Sequence, residues 1–229
     1  MAKITWAGQA CFQISLSSSK DVQANVVIDP FDGIGIKMPN FDADILLVSH
    51  DHPDHNNIKA VKPARSATGA AGGTEPFLID SPGEYEVKGV FIQGITSFHD
   101  DQEGKERGLN TIFTIEAEGM RLCHLGDFGQ KQLTDEQLEK IGAVDILMIP
   151  VGGTYTIDAN QATKVIGQID PKIVIPMHYA IDGLKLPLAR VDEFLKAIGG
   201  KSSEPQDKLV IKASALPKES DMQIVVLQP

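Results

Sequence analysis

Six consecutive residues, His50-Asp51-His52-Pro53-Asp54-His55, constrain this chain more than anything else in it. Only Pro53 lacks an imidazole or a carboxylate. The run directly follows Asp44-Ile-Leu-Leu-Val-Ser49, an apolar stretch that reads as a buried strand. The donors therefore emerge where a strand ends and a loop begins, which is where a rigid scaffold usually carries its chemistry. In an extended segment, His50, His52 and Asp54 project to one side. A turn after Pro53 then swings Asp54 and His55 toward a second centre. Imidazole with carboxylate suits zinc, manganese or iron, and the lack of cysteine in the run argues against a structural thiolate zinc site. A solvated polar turn that happens to be rich in histidine is the competing explanation, and the density of donors weighs against it.

What surrounds the run must be large enough to hold it still. With 229 residues the chain can bury a sizeable core, and one domain spanning residues 1–229 is expected. No stretch approaches the roughly 18 to 20 apolar residues of a membrane span, and Met1-Ala-Lys-Ile-Thr-Trp6 does not have the form of an export signal, so a cytoplasmic protein is expected. Cys11 and Cys123 lie in apolar, strand-like contexts and read as reduced, buried thiols. The formal net charge is −10, with acidic residues scattered and no basic stripe to neutralise a polynucleotide. Nucleic acid and membrane are therefore excluded as partners. A small-molecule substrate is expected, an anionic one is compatible with bound cations, and a homo-oligomer is allowed.

Strands and helices interleave along the chain. Ile4–Ala7, Cys11–Leu16 and Val22–Ile28 read as an antiparallel meander. The spacing predicts a short helix from His55 to Val61, stopped by Pro63, and a connecting loop over 67–76. Strands are predicted at 77–79, 85–87, 90–95, 111–117 and 121–125, the last two joined at Glu118-Gly119. Thr134-Asp-Glu-Gln137 has the form of a capping box opening a helix to Ile141. Strands at 145–150 and 172–177 alternate with helices at 158–169 and 190–198, the last closed by Gly199-Gly200. Strands at 209–213 and 224–227 complete the pattern.

Further donor types follow other strands. His99, in Ser97-Phe-His-Asp-Asp101, could complete a three-histidine set with His50 and His52, although alone it reads as a surface histidine. In Cys123-His-Leu-Gly-Asp127 the glycine permits a sharp turn that presents Asp127, otherwise a loop-capping carboxylate. His178 follows Val174-Ile-Pro-Met and could equally be a satisfied core histidine.

The order His-x-His-x-Asp-His, then His, Gly-Asp and His at successive strand ends resembles the metallo-β-lactamase superfamily. Ile4-Thr-Trp-Ala-Gly-Gln-Ala-Cys-Phe12, Pro82-Gly-Glu-Tyr-Glu86, His124-Leu-Gly-Asp127 and Pro150-Val-Gly-Gly153 are similar to small metal-dependent hydrolases near its ascorbate-6-phosphate lactonase branch. Many of those relatives carry His where this chain has Gln9. The resemblance implies a four-layered αββα sandwich with a dinuclear site at one edge. It makes His50, His52 and His99 ligands of one metal, Asp54, His55 and His178 ligands of the other, and Asp127 the bridge. It also implies two divalent ions, zinc first with manganese or iron as alternatives, activating water for attack on a small ester, lactone or phosphoester. Asp54 and Asp127 are the catalytic carboxylates in that scheme. His124 reads as a support for a ligand or as a satisfied buried histidine.

Substrate contacts are less legible. Lys105, Arg107 and Asn110 could bind an anion or form a solvated turn, and Glu84 and the Gly152-Gly153-Thr154-Tyr155 segment could reach the cleft or serve as turns. Two other functions stand beside the hydrolase: a redox di-iron protein on the same scaffold, and a metal-binding protein without turnover.

Overall fold

The computed structural model describes residues 1–17, 23–64, 74–199, 204–218 and 221–229. Val22, most of the 67–76 loop and Gly200 lie outside the described residues. Strict alternation builds the first sheet. In β1 (Ala2–Gly8) and β2 (Cys11–Ser17), Ile4, Trp6, Phe12, Ile14 and Leu16 enter the main core. β3 (Gln23–Ile28) pairs antiparallel with β2. After the two-residue β4 (Asp42–Ala43), β5 (Ile45–Leu47) pairs parallel with β3. A short β6 (Lys62–Pro63) pairs with β4, and β7 (Phe77–Ile79) extends the sheet beyond β5.

The other face of this sheet is covered by loop. Ala7, Cys11, Val27 and Leu46 pack beneath Phe31, Ile34, Phe41 and Val61. The helix predicted over 55–61 does not form, and only a 3-10 turn at Ile58–Ala60 is present. The reason is local. Asn57 donates its backbone N–H to the Pro30 carbonyl at 2.8 Å and its side-chain amide to the Phe31 carbonyl at 3.0 Å. Held there, Asn57 has φ −83° and ψ 57°, outside the helical region, so a helix cannot run through it.

The second sheet begins as an antiparallel meander of β8 (Gly83–Val87), β9 (Val90–Phe98), β10 (Leu109–Ala117) and β11 (Met120–His124). Glu118 and Gly119 both have positive φ, 57° and 72°, the conformation that turns a two-residue hairpin with the strand twist. After α1 (Asp135–Ile141), the sheet continues in parallel through β12 (Ile146–Pro150) and, beyond α2 (Ala159–Ile169), β13 (Ile173–Met177). All residues of β12 and β13 are buried, which requires cover on both faces. α2 supplies it with Ala162, Val165, Ile166 and Ile169, and α3 (Val191–Ile198) adds Phe194. Capping boxes at Thr134/Gln137 and Asp158/Gln161 start α1 and α2, each worth about 1 kcal/mol.

β14 (Leu209–Ile211) closes the first sheet beside β1, and β15 (Gln223–Ile224) closes the second beside β13. Both are shorter than expected: a 3-10 turn occupies Ala213–Ala215, and Leu227 makes only an isolated bridge to Gln206. The main core joins the inward faces of the two sheets. The layers are those of an αββα sandwich, drawn thin over the first sheet. Among the described residues no helix is long and apolar enough to cross a membrane.

Strand direction determines where the chemistry collects. β1, β3 and β5 run one way in the first sheet, and β9, β11, β12 and β13 share a direction in the second. At or just past their carboxyl ends stand Gln9, Asp29, Ser49, His50, His99, Asp127, Gly152 and His178.

Candidate metal centre

The donor run folds tighter than an extended segment. His52 donates its backbone N–H to the His50 carbonyl at 3.1 Å, and His55 donates to the His52 carbonyl at 2.9 Å, so successive turns draw the rings inward. The His50 ring centroid lies 4.6 Å from His52, 4.3 Å from His55 and 4.8 Å from His99. Two donor sets have atoms all within 4.8 Å of one another: His50, His52 and His99, and His50, His55 and Asp127. Asp54 Oδ2 lies 3.5 Å from His55 Nε2. Asp127 Oδ2 is the common point, 3.3 Å from His55 Nε2, 3.4 Å from His99 Nε2 and 3.2 Å from His178 Nε2. All seven residues named from the sequence thus gather at one place.

These groups approach one another without satisfying one another. Buried His50 Nε2, His55 Nε2, His99 Nδ1, Asp127 Oδ1 and both ring nitrogens of His178 make no hydrogen bond among the described residues. Buried ring nitrogens and a carboxylate left unpaired around one spot are costly unless something electropositive sits between those that face it. A nitrogen and oxygen donor set of this kind suits a divalent cation.

Asp29, which the sequence reading missed, decides which ring nitrogens face the centre. It is fully buried and accepts the Ser49 N–H at 2.7 Å on Oδ1, and the Ser49 hydroxyl at 2.7 Å and His55 Nδ1–H at 3.2 Å on Oδ2. Because the single Ser49 hydroxyl proton goes to Asp29, Ser49 Oγ must accept from His50 Nδ1 at 2.9 Å. Both imidazoles therefore turn Nε2 inward, the atom a metal ion would take, and for His55, against the effect of burial, the surrounding carboxylates Asp127, Asp29 and Asp54 raise the pKa well above the ordinary value. Burial opposes ionisation of Asp29, but its hydrogen bond from His55 and the surrounding histidines leave its pKa below the ordinary value.

The same balance governs the other carboxylates. Burial pushes Asp54 and Asp127 up, yet His55 brings Asp54 down to about 2, while His178 and His55 hold Asp127 well below the carboxylate range. Burial pushes His50 down to about 3, leaving it neutral.

Asp127 is held by a buried amide. Asn110 Oδ1 accepts the Asp127 N–H at 2.9 Å, while its NH2 group donates to Ser97 Oγ at 2.7 Å and the Leu125 carbonyl at 2.8 Å. Asn110 is thus a latch on the Asp127 loop and no anion binder. Gly126 has φ +58°, and a Cβ there would stand 2.3 Å from Asn110 Oδ1, so only glycine lets the latch close. His124 spends both ring nitrogens elsewhere, donating from Nε2 to the Ala10 carbonyl at 2.9 Å and accepting the Gly126 N–H on Nδ1 at 3.1 Å.

Gln9 ties the halves together. Its side-chain amide donates to Asp54 Oδ2 at 3.0 Å, and its backbone carbonyl accepts from His178 N at 2.9 Å and Trp6 Nε1 at 3.0 Å. Of the remaining residues singled out in the sequence, Glu84 is exposed on β8, and Lys105 is exposed beside Glu103 at 3.6 Å. Arg107 and Tyr155 do reach the site. They line a cleft of about 460 Å³ together with His52, Asp54, His99 and Asp127.

A family model described as a β-lactamase superfamily domain matches residues 3–178. Among curated proteins, a metal-dependent hydrolase of Thermoplasma acidophilum is 33% identical over 218 residues, covering 86% of this chain and 91% of its own. A crystal structure of a candidate zinc-dependent hydrolase of the metallo-β-lactamase superfamily from Thermotoga maritima shares 37% identity and a TM-score of 0.75, with both chains fully covered. A metallo hydrolase from Ignicoccus hospitalis shares the fold at 20% identity and a TM-score of 0.58, over 86% of this chain and 90% of that one.

Proposed function

Because the chain belongs to the metallo-β-lactamase superfamily as a metal-dependent hydrolase, we propose that it cleaves a small ester, lactone or phosphoester at a dinuclear centre. The observation that carries the proposal is the convergence of unsatisfied buried donors around Asp127 Oδ2. In this reading His50, His52 and His99 would hold one ion and Asp54, His55 and His178 the other, with Asp127 shared between the two sets. Zinc is the first choice, with manganese and iron compatible with the same donors. Such ions supply Lewis acidity and lower the pKa of bound water from about 16 toward 7.

The chain's own residues complete the arrangement. Asp54 is ionised at neutral pH, and its side chain opens onto the cleft. Gln9 takes its Oδ2, so the carboxylate is held in one orientation, from which it directs the attacking water. Asp29 and Ser49 hold His50 and His55 with their Nε2 atoms aimed at the centre, and Asn110 keeps Asp127 at the junction of the two sets.

The test is metal removal and return. The chelated protein is expected to lose hydrolysis across a panel of lactones, carboxylic esters and phosphodiesters, and to regain it with zinc or manganese. Full activity of metal-free protein overturns the proposal. Metal uptake with no turnover across the panel favours a binding protein.

A further inference from the structure

Among the described residues, Arg107 is the only lysine or arginine lining the 460 Å³ cleft beside the candidate metal donors. It also lines a second cleft of about 350 Å³, which holds His50, His52, Asp80, Pro82 and Thr96. Arg107 and His52 line both clefts. Its acidic neighbour is Glu106, 3.8 Å away and 62% exposed, a pairing that consumes little of a five-donor group. The guanidinium lies over the Tyr155 ring at 5.9 Å, which orients the planar fork while leaving its donor edges open.

The backbone beneath it is held with unusual firmness. Asp100 follows His99 directly and accepts four backbone N–H groups: Gln102 and Gly104 on Oδ1 at 2.8 Å each, and Glu106 and Arg107 on Oδ2 at 2.9 and 2.8 Å. The Gly108 carbonyl then accepts the His99 N–H at 3.1 Å. One carboxylate thus sets Arg107 at a constant offset from His99. A surface arginine free in solvent needs no such mounting.

We infer that Arg107 is a specificity-determining residue that anchors an oxyanion, a carboxylate or phosphate remote from the bond being cut, on the substrate. This rests on the hydrolase reading above and names the substrate class for the same cleft. In a chain of net charge −10, a fixed guanidinium is what lets an anionic substrate settle in one orientation. Tyr155 and Asp100 are positioning residues that act through Arg107.

The test compares two esters on zinc-loaded protein: 4-nitrophenyl acetate, which is neutral, and mono-4-nitrophenyl glutarate, which carries a carboxylate on the acyl arm. Wild type is expected to prefer the glutarate in kcat/KM. R107A is expected to lower that preference by about tenfold or more through KM, with R107K intermediate and bound zinc unchanged. K105A is the control and keeps the preference. An R107A preference equal to wild type overturns the inference. If wild type turns over neither ester, calorimetric binding of glutarate and of methylphosphonate decides separately. A loss of about tenfold in R107A for either anion supports the anchor and says whether it takes planar or tetrahedral groups, whereas equal affinities for both, or no binding of either by wild type, overturn it.

Discussion

The two sheets serve one centre by different means. The second lends single side chains from strand ends: His99 after β9, Asp127 just past β11 and His178 after β13, all embedded in a sheet covered by helices. The first lends a looped run, His50 to His55, on a sheet whose outer face is covered by loop and one 3-10 turn. A strand end is rigid because its neighbours are paired on both sides, whereas a loop must be tied down group by group. That is the task of Asp29, Ser49, Gln9 and Asn57. On the second sheet pairing supplies most of the rigidity, with Asn110 latching the loop that carries Asp127, and on the first buried polar bonds supply it.

The largest effect should come from packing. Ile175→Ala, in a strand buried on both faces, is expected to cost about 2–5 kcal/mol in urea denaturation, and Ile34→Ala in the loop layer should fall at or below the low end, because a loop relaxes into the space. Equal losses break the contrast between the two covers. Next is Asp29→Asn. Three donors point at this carboxylate, and an asparagine offers one acceptor oxygen and an NH2 group that faces a donor. Metal affinity is expected to fall about 10–100-fold by competition titration, with the fold retained by circular dichroism. Unchanged affinity would mean that the run holds itself. The smallest effect is at Asp100. Asp100→Asn is expected to cost about 1 kcal/mol at pH 7. Against a burial penalty, its backbone hydrogen bonds, Arg107's first, lower the Asp100 pKa to about 2. Its contribution is therefore present above the unfolded value of about 4 and lost as pH falls toward 2. The difference between wild type and variant, followed by denaturation across that range, should shrink on acidification.

Much of this was legible because donors follow apolar strands. The run after Leu47, His99 after Phe98 and His178 after Met177 each declare themselves by a change from apolar to polar at a strand end. The capping box at Thr134 was equally plain, since both partners lie within four residues. What escaped has partners distant in sequence. Asp29 before Pro30 looks like an ordinary turn, and nothing local says that Ser49 and His55 will point at it. Asn110 beside Arg107 and Lys105 suggested an anion contact, whereas its amide is buried against Asp127 and Leu125. The helix expected after His55 failed for the same reason, since Asn57, held by the Pro30 and Phe31 carbonyls, lies outside the helical region.

The Gln9 carbonyl joins the turn after the first strand to the backbone of His178. During synthesis, the donor run leaves the ribosome long before His178, and in a centre that uses both, as proposed, high-affinity metal capture would wait until the two ends of this span have met. Metal retention in the presence of a chelator therefore reports on completed folding, and chains arrested before residue 178 should surrender their metal to competitors that the finished protein resists.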